Sequence, residues 1–301
     1  MSKIPFKTDM NFEYGEVTQI SPLIRRVMAD NPGPFTFTGT GTFIVGRGEV
    51  GVIDPGPNLE PHIQAILNAL DDGEKITHIL ITHTHADHSP AARPLQKLTG
   101  APIYAFPIEA TGELDDAPQL DEDQDQTFRS DHFLSDGDVI RGLNWTLTAL
   151  HTPGHMRNHI CFALEEEKTL FTGDHVMGWS TSIVAPPEGN MNDYMRSLDR
   201  LMSRDDKVYL PTHGAAIEDP KPFVQAYIDH RRQREAQILD QLKNGETQIR
   251  DIVKIIYTDI DPRLHPAAAL SVFAHMEDLI AQNIVQTASP PRVDSQFKLK
   301  S

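Results

Sequence analysis

Apolar positions along this chain follow two periods that alternate. Strand-like runs fall at residues 23–27, 39–46, 51–54, 76–81, 102–105, 145–150, 160–164, 169–172 and 207–210. Between them apolar residues return at helical spacing: Ile63, Ile66, Leu67 and Leu70, then residues 91–98, then Met195, Leu198, Leu201 and Met202. The 39–46 and 51–54 runs read as a hairpin turning at Arg47-Gly48-Glu49. Its glycines are not a phosphate loop, because no Lys-Ser/Thr pair and no suitable helix follow. Arg25 and Arg26 in the first run are expected to face solvent or a rim. After Pro220-Lys221-Pro222 the texture changes: residues 223–242, 247–257 and 264–280 predict three helices, 284–287 a short strand, and the polar tail beyond Ala288 need not be ordered. This predicts a catalytic domain over residues 1–218 and a helical, winged-helix-like module over 219–301.

Composition narrows the class. With 301 residues and 39% hydrophobic content, the chain can hold one large core plus an appendage. No stretch reaches the 18 to 20 apolar residues of a membrane span, and the first residues lack a leader's apolar segment, so a cytoplasmic protein is expected. One cysteine, Cys161, rules out an internal disulfide and reads as a buried strand residue. The net charge of -16 is unevenly placed. From residue 219 onward 11 basic residues balance 11 acidic ones, so the 16 basic and 32 acidic residues before it carry the whole excess. Such a surface repels polyanions unless a local basic patch intervenes. Residues 109–131 alone hold nine carboxylates and one arginine, a solvated loop or a flap that screens anionic ligands.

The chemistry sits just past the strand ends. Thr82-His83-Thr84-His85-Ala86-Asp87-His88 follows the 76–81 run and offers four metal ligands within six residues. His83 and His85, two apart, point the same way on extended backbone, and Asp87 and His88 address a neighbouring position. His151, Asp174 and His213 each lie at or just after a later strand. Seven candidates exceed the four of a closed structural zinc site and suit two metals with open positions. Asp54, before Pro55-Gly56, is either a turn-capping carboxylate or a partner that orients the ligands. His155 and His159 are candidates for an oxyanion contact, a leaving-group proton or a supporting bond, with a loop brace as the alternative for His155. Trp179, Ser180, Thr181 and Tyr194 are candidate substrate-wall residues, as is His159.

The His83-Thr84-His85-Ala86-Asp87-His88 packet with His151, Asp174 and His213 resembles the ligand signature of the metallo-beta-lactamase superfamily. The resemblance implies an α/β (α+β) fold, a four-layer αβ/βα sandwich. It assigns His83, His85 and His151 to one zinc, Asp87, His88 and His213 to a second, and Asp174 to both, with Mn2+ or Fe as alternative metals. Asp54 matches the family's aspartate at an early strand end. Within the superfamily, Tyr194-Met195-Arg196-Ser197-Leu198 and Ile252-Val253-Lys254-Ile255-Ile256-Tyr257 resemble the beta-lactamase-like protein 2 group. The implied reaction is attack by a metal-bridging hydroxide on a carbonyl or phosphoryl centre, with Asp87 orienting it or taking its proton. The acidic excess and the neutral C-terminal module favour a small-molecule ester, thioester or lactone over nucleic acid. A single-strand-specific endoribonuclease is the alternative, and beta-lactam hydrolysis a weak or promiscuous third, since class B1 lactamases carry cysteine where this chain has Asp174. A homodimer is compatible with the appended module.

Overall fold

The computed structural model describes residues 4–107, 124–258, 260–288 and 290–300. In chain order its elements are β1 (Val17–Ser21), β2 (Ile24–Met28), β3 (Gly41–Val45), β4 (Glu49–Ile53), α1 (Glu60–Asn68), β5 (Lys75–Leu80), α2 (Ala92–Thr99) and β6 (Ile103–Ala105). There follow β7 (His132–Phe133), β8 (Val139–Arg141), β9 (Thr146–His151), β10 (Ile160–Leu164), β11 (Thr169–Gly173), α3 (Met191–Met202) and β12 (Val208–Pro211). The C-terminal part adds α4 (Pro220–Lys243), α5 (Ile249–Ile256), α6 (His265–Ala281), β13 (Val285–Gln286) and β14 (Lys298–Leu299).

Two sheets stand face to face. The first runs β1 to β7 in order, antiparallel as far as β4 and parallel from there, and the second runs β12-β11-β10-β9-β8 with one parallel pair, β11 with β12. Strands such as β3, β10 and β11 are buried on both faces because each sheet is covered twice. Phe43, Ile53 and Leu80 meet Trp145, Leu147, Phe162 and Phe171 between the sheets. Outside the first sheet, Val27, Ile44 and Val52 pack on Ile63, Ile66 and Leu95 of α1 and α2. Outside the second, Ala163, Leu170 and Tyr209 pack on Leu198, Leu201, Phe223 and Tyr227 of α3 and α4. The result is a four-layer α/β/β/α sandwich. The register delivers the site: β4 and β5 run parallel, and so do β9, β11 and β12, so all five end at one edge.

The C-terminal core joins Leu242, Ile252, Val272, Leu279 and Phe297. Helix α4 belongs to both cores, its first half to the sandwich and its second, through Ile238 and Leu242, to the C-terminal cluster. Among the described residues no helix is long and apolar enough to cross a membrane.

Two expectations need correction. Arg25 and Arg26 are buried, not rim residues. The Arg25 guanidinium lies under α1, donating to the Ala69 carbonyl at 2.8 Å and to Glu74 at 2.7 Å, partners too distant in sequence to be anticipated. The tail also returns: β14 pairs with β13, and Phe297 is fully buried. Of the acidic 109–131 stretch, 109–123 lie outside the described residues, whereas the Asp125 amide bonds the Thr84 carbonyl at 2.7 Å and so ties this segment to the histidine packet.

Cys161 is a core residue, its sulfur 3.2 Å from Thr152 Oγ1, and burial pushes its thiol up to about 12. Iodoacetamide at pH 8 is therefore expected to leave the folded protein unlabelled and to alkylate one site in denaturing urea, read by intact mass. Rapid labelling of the folded chain would contradict this placement.

Candidate metal centre

The packet after β5 converges with the loops after β9, β11 and β12. His83 Nε2 is 2.9 Å from His85 Nδ1, and His155 Nε2 is 3.2 Å from that same atom. Proton bookkeeping shows what these contacts represent. The Ile183 carbonyl, 2.6 Å from His155 Nδ1, can only accept, so that nitrogen is protonated and the neutral ring's Nε2 carries a lone pair. Thr82 Oγ1 gives its hydrogen to Asp54 at 2.7 Å and accepts from His83 Nδ1 at 3.0 Å, which leaves His83 Nε2 bare as well. Two lone pairs thus face one His85 nitrogen, which can satisfy only one of them. Burial first, then the neighbouring histidines, holds His83 and His85 low, His85 at about 3. Three neutral imidazoles aimed at one point suit a cation.

A second group lies beside the first. Asp87 Oδ2 is 3.0 Å from His213 Nε2 and 3.3 Å from His88 Nε2, and Asp174 Oδ2 is 3.5 Å from both nitrogens. The outer nitrogens are again fixed by acceptors, His88 Nδ1 on Asp54 at 2.9 Å and His213 Nδ1 on the Gly39 carbonyl at 3.0 Å. Among the described residues, His88 Nε2 and Asp174 Oδ1 are buried without a hydrogen-bond partner. Burial alone would lower the His213 pKa, yet Asp174 and Asp87 outweigh it and lift the group to about 10. His88 is raised likewise, by Asp87, Asp174 and Asp54 against burial. Two carboxylates gathered against two imidazoles concentrate negative charge that divalent ions would balance. Three sets meet metal-holding geometry: His83, His85 and His155; His83, His88 and Asp174; and Asp87, His88 and His213.

The sequence expectation for His151 is corrected. His151 ends β9 opposite Ile160, stacks on Phe106 at 3.8 Å, and donates from Nε2 to the Arg157 carbonyl at 2.8 Å. It is absent from the three ligand sets, and His155 takes the place beside His83 and His85. The turn between them makes the exchange: Gly154 sits at φ 138°, and a Cβ there would lie 2.3 Å from the Tyr194 Cα. His159 braces rather than lines, since its Nε2 accepts from the Asp174 amide at 3.1 Å and its Nδ1 meets Thr152 Oγ1 at 2.9 Å. Tyr194 is wholly buried, its hydroxyl on the His175 carbonyl, so it cannot wall a substrate. Trp179, Ser180 and Thr181 are partly exposed, with Trp179 stacked on Phe37 at 4.9 Å.

Asp54 is the hub beneath the centre. Fully buried, it accepts from the Thr82 amide at 2.8 Å, the Thr82 hydroxyl at 2.7 Å, His88 Nδ1 at 2.9 Å and the Thr212 hydroxyl at 3.1 Å. The threonines were missed by sequence reasoning, although a signal existed: threonine directly precedes His83, His85 and His213. Thr40, whose hydroxyl donates to Asp87 at 3.2 Å, had no such marker.

Comparison with known proteins agrees with this geometry. Residues 249–290 match the beta-lactamase associated winged helix domain. A beta-lactamase-like protein 2 homolog of Drosophila melanogaster is 32% identical over 273 residues, covering 87% of this chain and 89% of that one. An atrochrysone carboxyl ACP thioesterase of Cryptosporiopsis sp. (strain 8999) is 33% identical over 237 residues, covering 78% of this chain and 67% of that one. A beta-lactamase domain protein from Burkholderia ambifaria shares the fold at TM-score 0.78 and 17% identity, over 97% of this chain and 96% of that one. With residues 36–213 matching the family description and the ligand sets assembled at one sheet edge, this chain belongs to the metallo-beta-lactamase superfamily.

Proposed function

We propose that this superfamily hydrolase is a two-zinc enzyme cleaving a small-molecule thioester, with esters and lactones as chemically related substrates. The observation that carries the reading is the junction of the ligand sets: His83 and His88 each belong to two of them and share one with Asp174, a donor set that would suit two cations rather than one. His83, His85 and His155 would hold one ion, and Asp87, His88 and His213 the other. Mn2+ or Fe would suit the same imidazole and carboxylate donors. Such metals acidify water and polarise a carbonyl oxygen.

The chain's own groups do the rest. Asp87, held at Oδ2 by Thr40 and His213, is the ligand carboxylate that solvent reaches, with 16% of its side chain exposed. Burial opposes its ionisation, but His88 and His213 hold its pKa well below the ordinary carboxylate range. It therefore stays ionised, an acceptor placed to orient the attacking water. His155 keeps its Nδ1 proton on the Ile183 carbonyl, which favours a role in holding metal over protonating a leaving group.

Thioester is preferred because relatives named thioesterases align with most of this chain. A ribonuclease would need a basic approach to the centre, and the two candidate arginines for one are committed elsewhere: Arg25 to Glu74, Arg157 to the Pro187 carbonyl. A cytoplasmic setting suits the proposal. The test is turnover of thioester, ester, lactone, chromogenic lactam and fluorogenic single-stranded RNA by zinc-loaded protein. Thioester hydrolysis reduced about 10²–10⁴-fold in Asp87→Ala is the expected result. RNA cleavage abolished by that substitution, with thioesters untouched, would replace this reading with the nuclease.

A further inference from the structure

A second layer of hydrogen bonds underlies Asp54. This residue sits at φ 49°, a left-handed conformation that a side-chain-bearing residue keeps only when its surroundings impose it. Its amide donates to the Leu80 carbonyl at 2.9 Å, and its own carbonyl receives the Thr42 hydroxyl at 2.7 Å. Thr42 Oγ1 has one hydrogen and spends it there, so it must accept from His62 Nε2, 2.8 Å away. His62 is thereby fixed with its proton on Nε2, and burial, which holds its pKa at about 4, keeps the ring neutral. The other nitrogen, Nδ1, is buried with no partner among the described residues, a cost that a leucine would not incur. The His62 ring also fills the space over Gly56, where a Cβ would lie 3.1 Å from Nε2. Gly56 in turn clasps the ligand packet: its amide bonds the His88 carbonyl at 3.0 Å, and its carbonyl receives the Ala91 amide at 3.0 Å.

We propose that His62, acting through Thr42, is a positioning residue that fixes the turn at Asp54 to Gly56 and so sets the aim of His88. His62 comes from α1 and touches none of the ligand sets, so its effect on metal would pass through Asp54 and Gly56 alone. The turn bears on the Asp87, His88 and His213 set through the His88 ring and through Thr212 before His213. Its hold on His83 passes through Thr82, by amide and hydroxyl, and among the described residues it makes no hydrogen bond to the His85 or His155 side chain. The two metal positions should therefore respond unequally.

The inference rests on the two-metal reading, and its test does not use activity. Zn2+ binding is measured by competition with a chromophoric chelator for wild type, His62→Leu, His62→Gln, Thr42→Val and Thr42→Ser. His62→Leu and Thr42→Val are expected to weaken one of the two sites about tenfold or more and leave the other within twofold of wild type. Thr42→Ser, which keeps the hydroxyl, and His62→Gln, whose amide can donate to it, are expected to recover most of that loss. Unchanged affinity at both sites in His62→Leu and Thr42→Val would overturn the proposal, as would equal weakening at both. So would failure of the conservative pair to rescue, including the case in which His62→Leu does not fold. Wild-type protein that binds no Zn2+ would instead sink the two-metal reading.

Discussion

Replacing His155 by alanine is expected to remove one of two bound metals and to lower kcat/KM for the preferred substrate by about 10²–10⁴-fold, the scale of several kcal/mol of lost transition-state stabilisation. His155 is one of three imidazoles whose nitrogens face a common point, and its orientation is fixed by the Ile183 carbonyl 2.6 Å behind it. The paired control is His151→Ala. That residue also follows a strand run and lies four positions away, but its Nε2 is spent on the Arg157 carbonyl and its ring on Phe106. Metal content in His151→Ala should equal wild type. Elemental analysis after exhaustive dialysis decides the matter: two metals in the His155 variant and one in the His151 variant would reverse the assignment.

The second large effect is expected at Asp54. Its Oδ2 collects the Thr82 hydroxyl, the Thr212 hydroxyl and His88 Nδ1, and Oδ1 takes the Thr82 amide. Alanine would strand four buried donors at once and add to them an alanine at φ 49° without the carboxylate that rewards that conformation. A loss of about 3–5 kcal/mol is expected in urea unfolding of the metal-free protein, the range for removing one partner of a buried charged pair. Asparagine tests the metal link more gently. One of its two amide heads is a donor, so it cannot serve all four contacts, and metal affinity should fall about 10–100-fold with a smaller loss of stability. A stable Asp54→Asn variant with wild-type affinity would show that the ligands need no such hub.

The parts of this site legible in the sequence are those written locally. His83, His85, Asp87 and His88 share one loop, and strand periodicity marks where that loop begins. Asp174 and His213 follow strands that run parallel and so end together. His151 and His155 could not be separated by that rule, because both belong to the segment leaving β9. The turn between them is decided by the approach of Gly154 to Tyr194 on α3, a contact 40 residues apart that periodicity does not encode. Arg25 shows the same limit. Its polar character argued for solvent, but Glu74, 49 residues away, and the Ala69 carbonyl make a buried guanidinium acceptable. The four layers were implied by the family resemblance, whereas the pairing of the last strand with β13 depends on Phe297 filling a core assembled from three helices.

We propose a dinuclear centre built from the loops at one sheet edge, with His155 in it and His151 outside. Anomalous scattering at the zinc edge, from crystals of the zinc-loaded protein, tests this directly. Two peaks are expected: one at about 2.0–2.1 Å from nitrogens of His83, His85 and His155, the other at similar distances from His88 and His213 with Asp87, and Asp174 reaching both. A single peak, or a zinc bound by His151 with His155 turned away, would contradict the account.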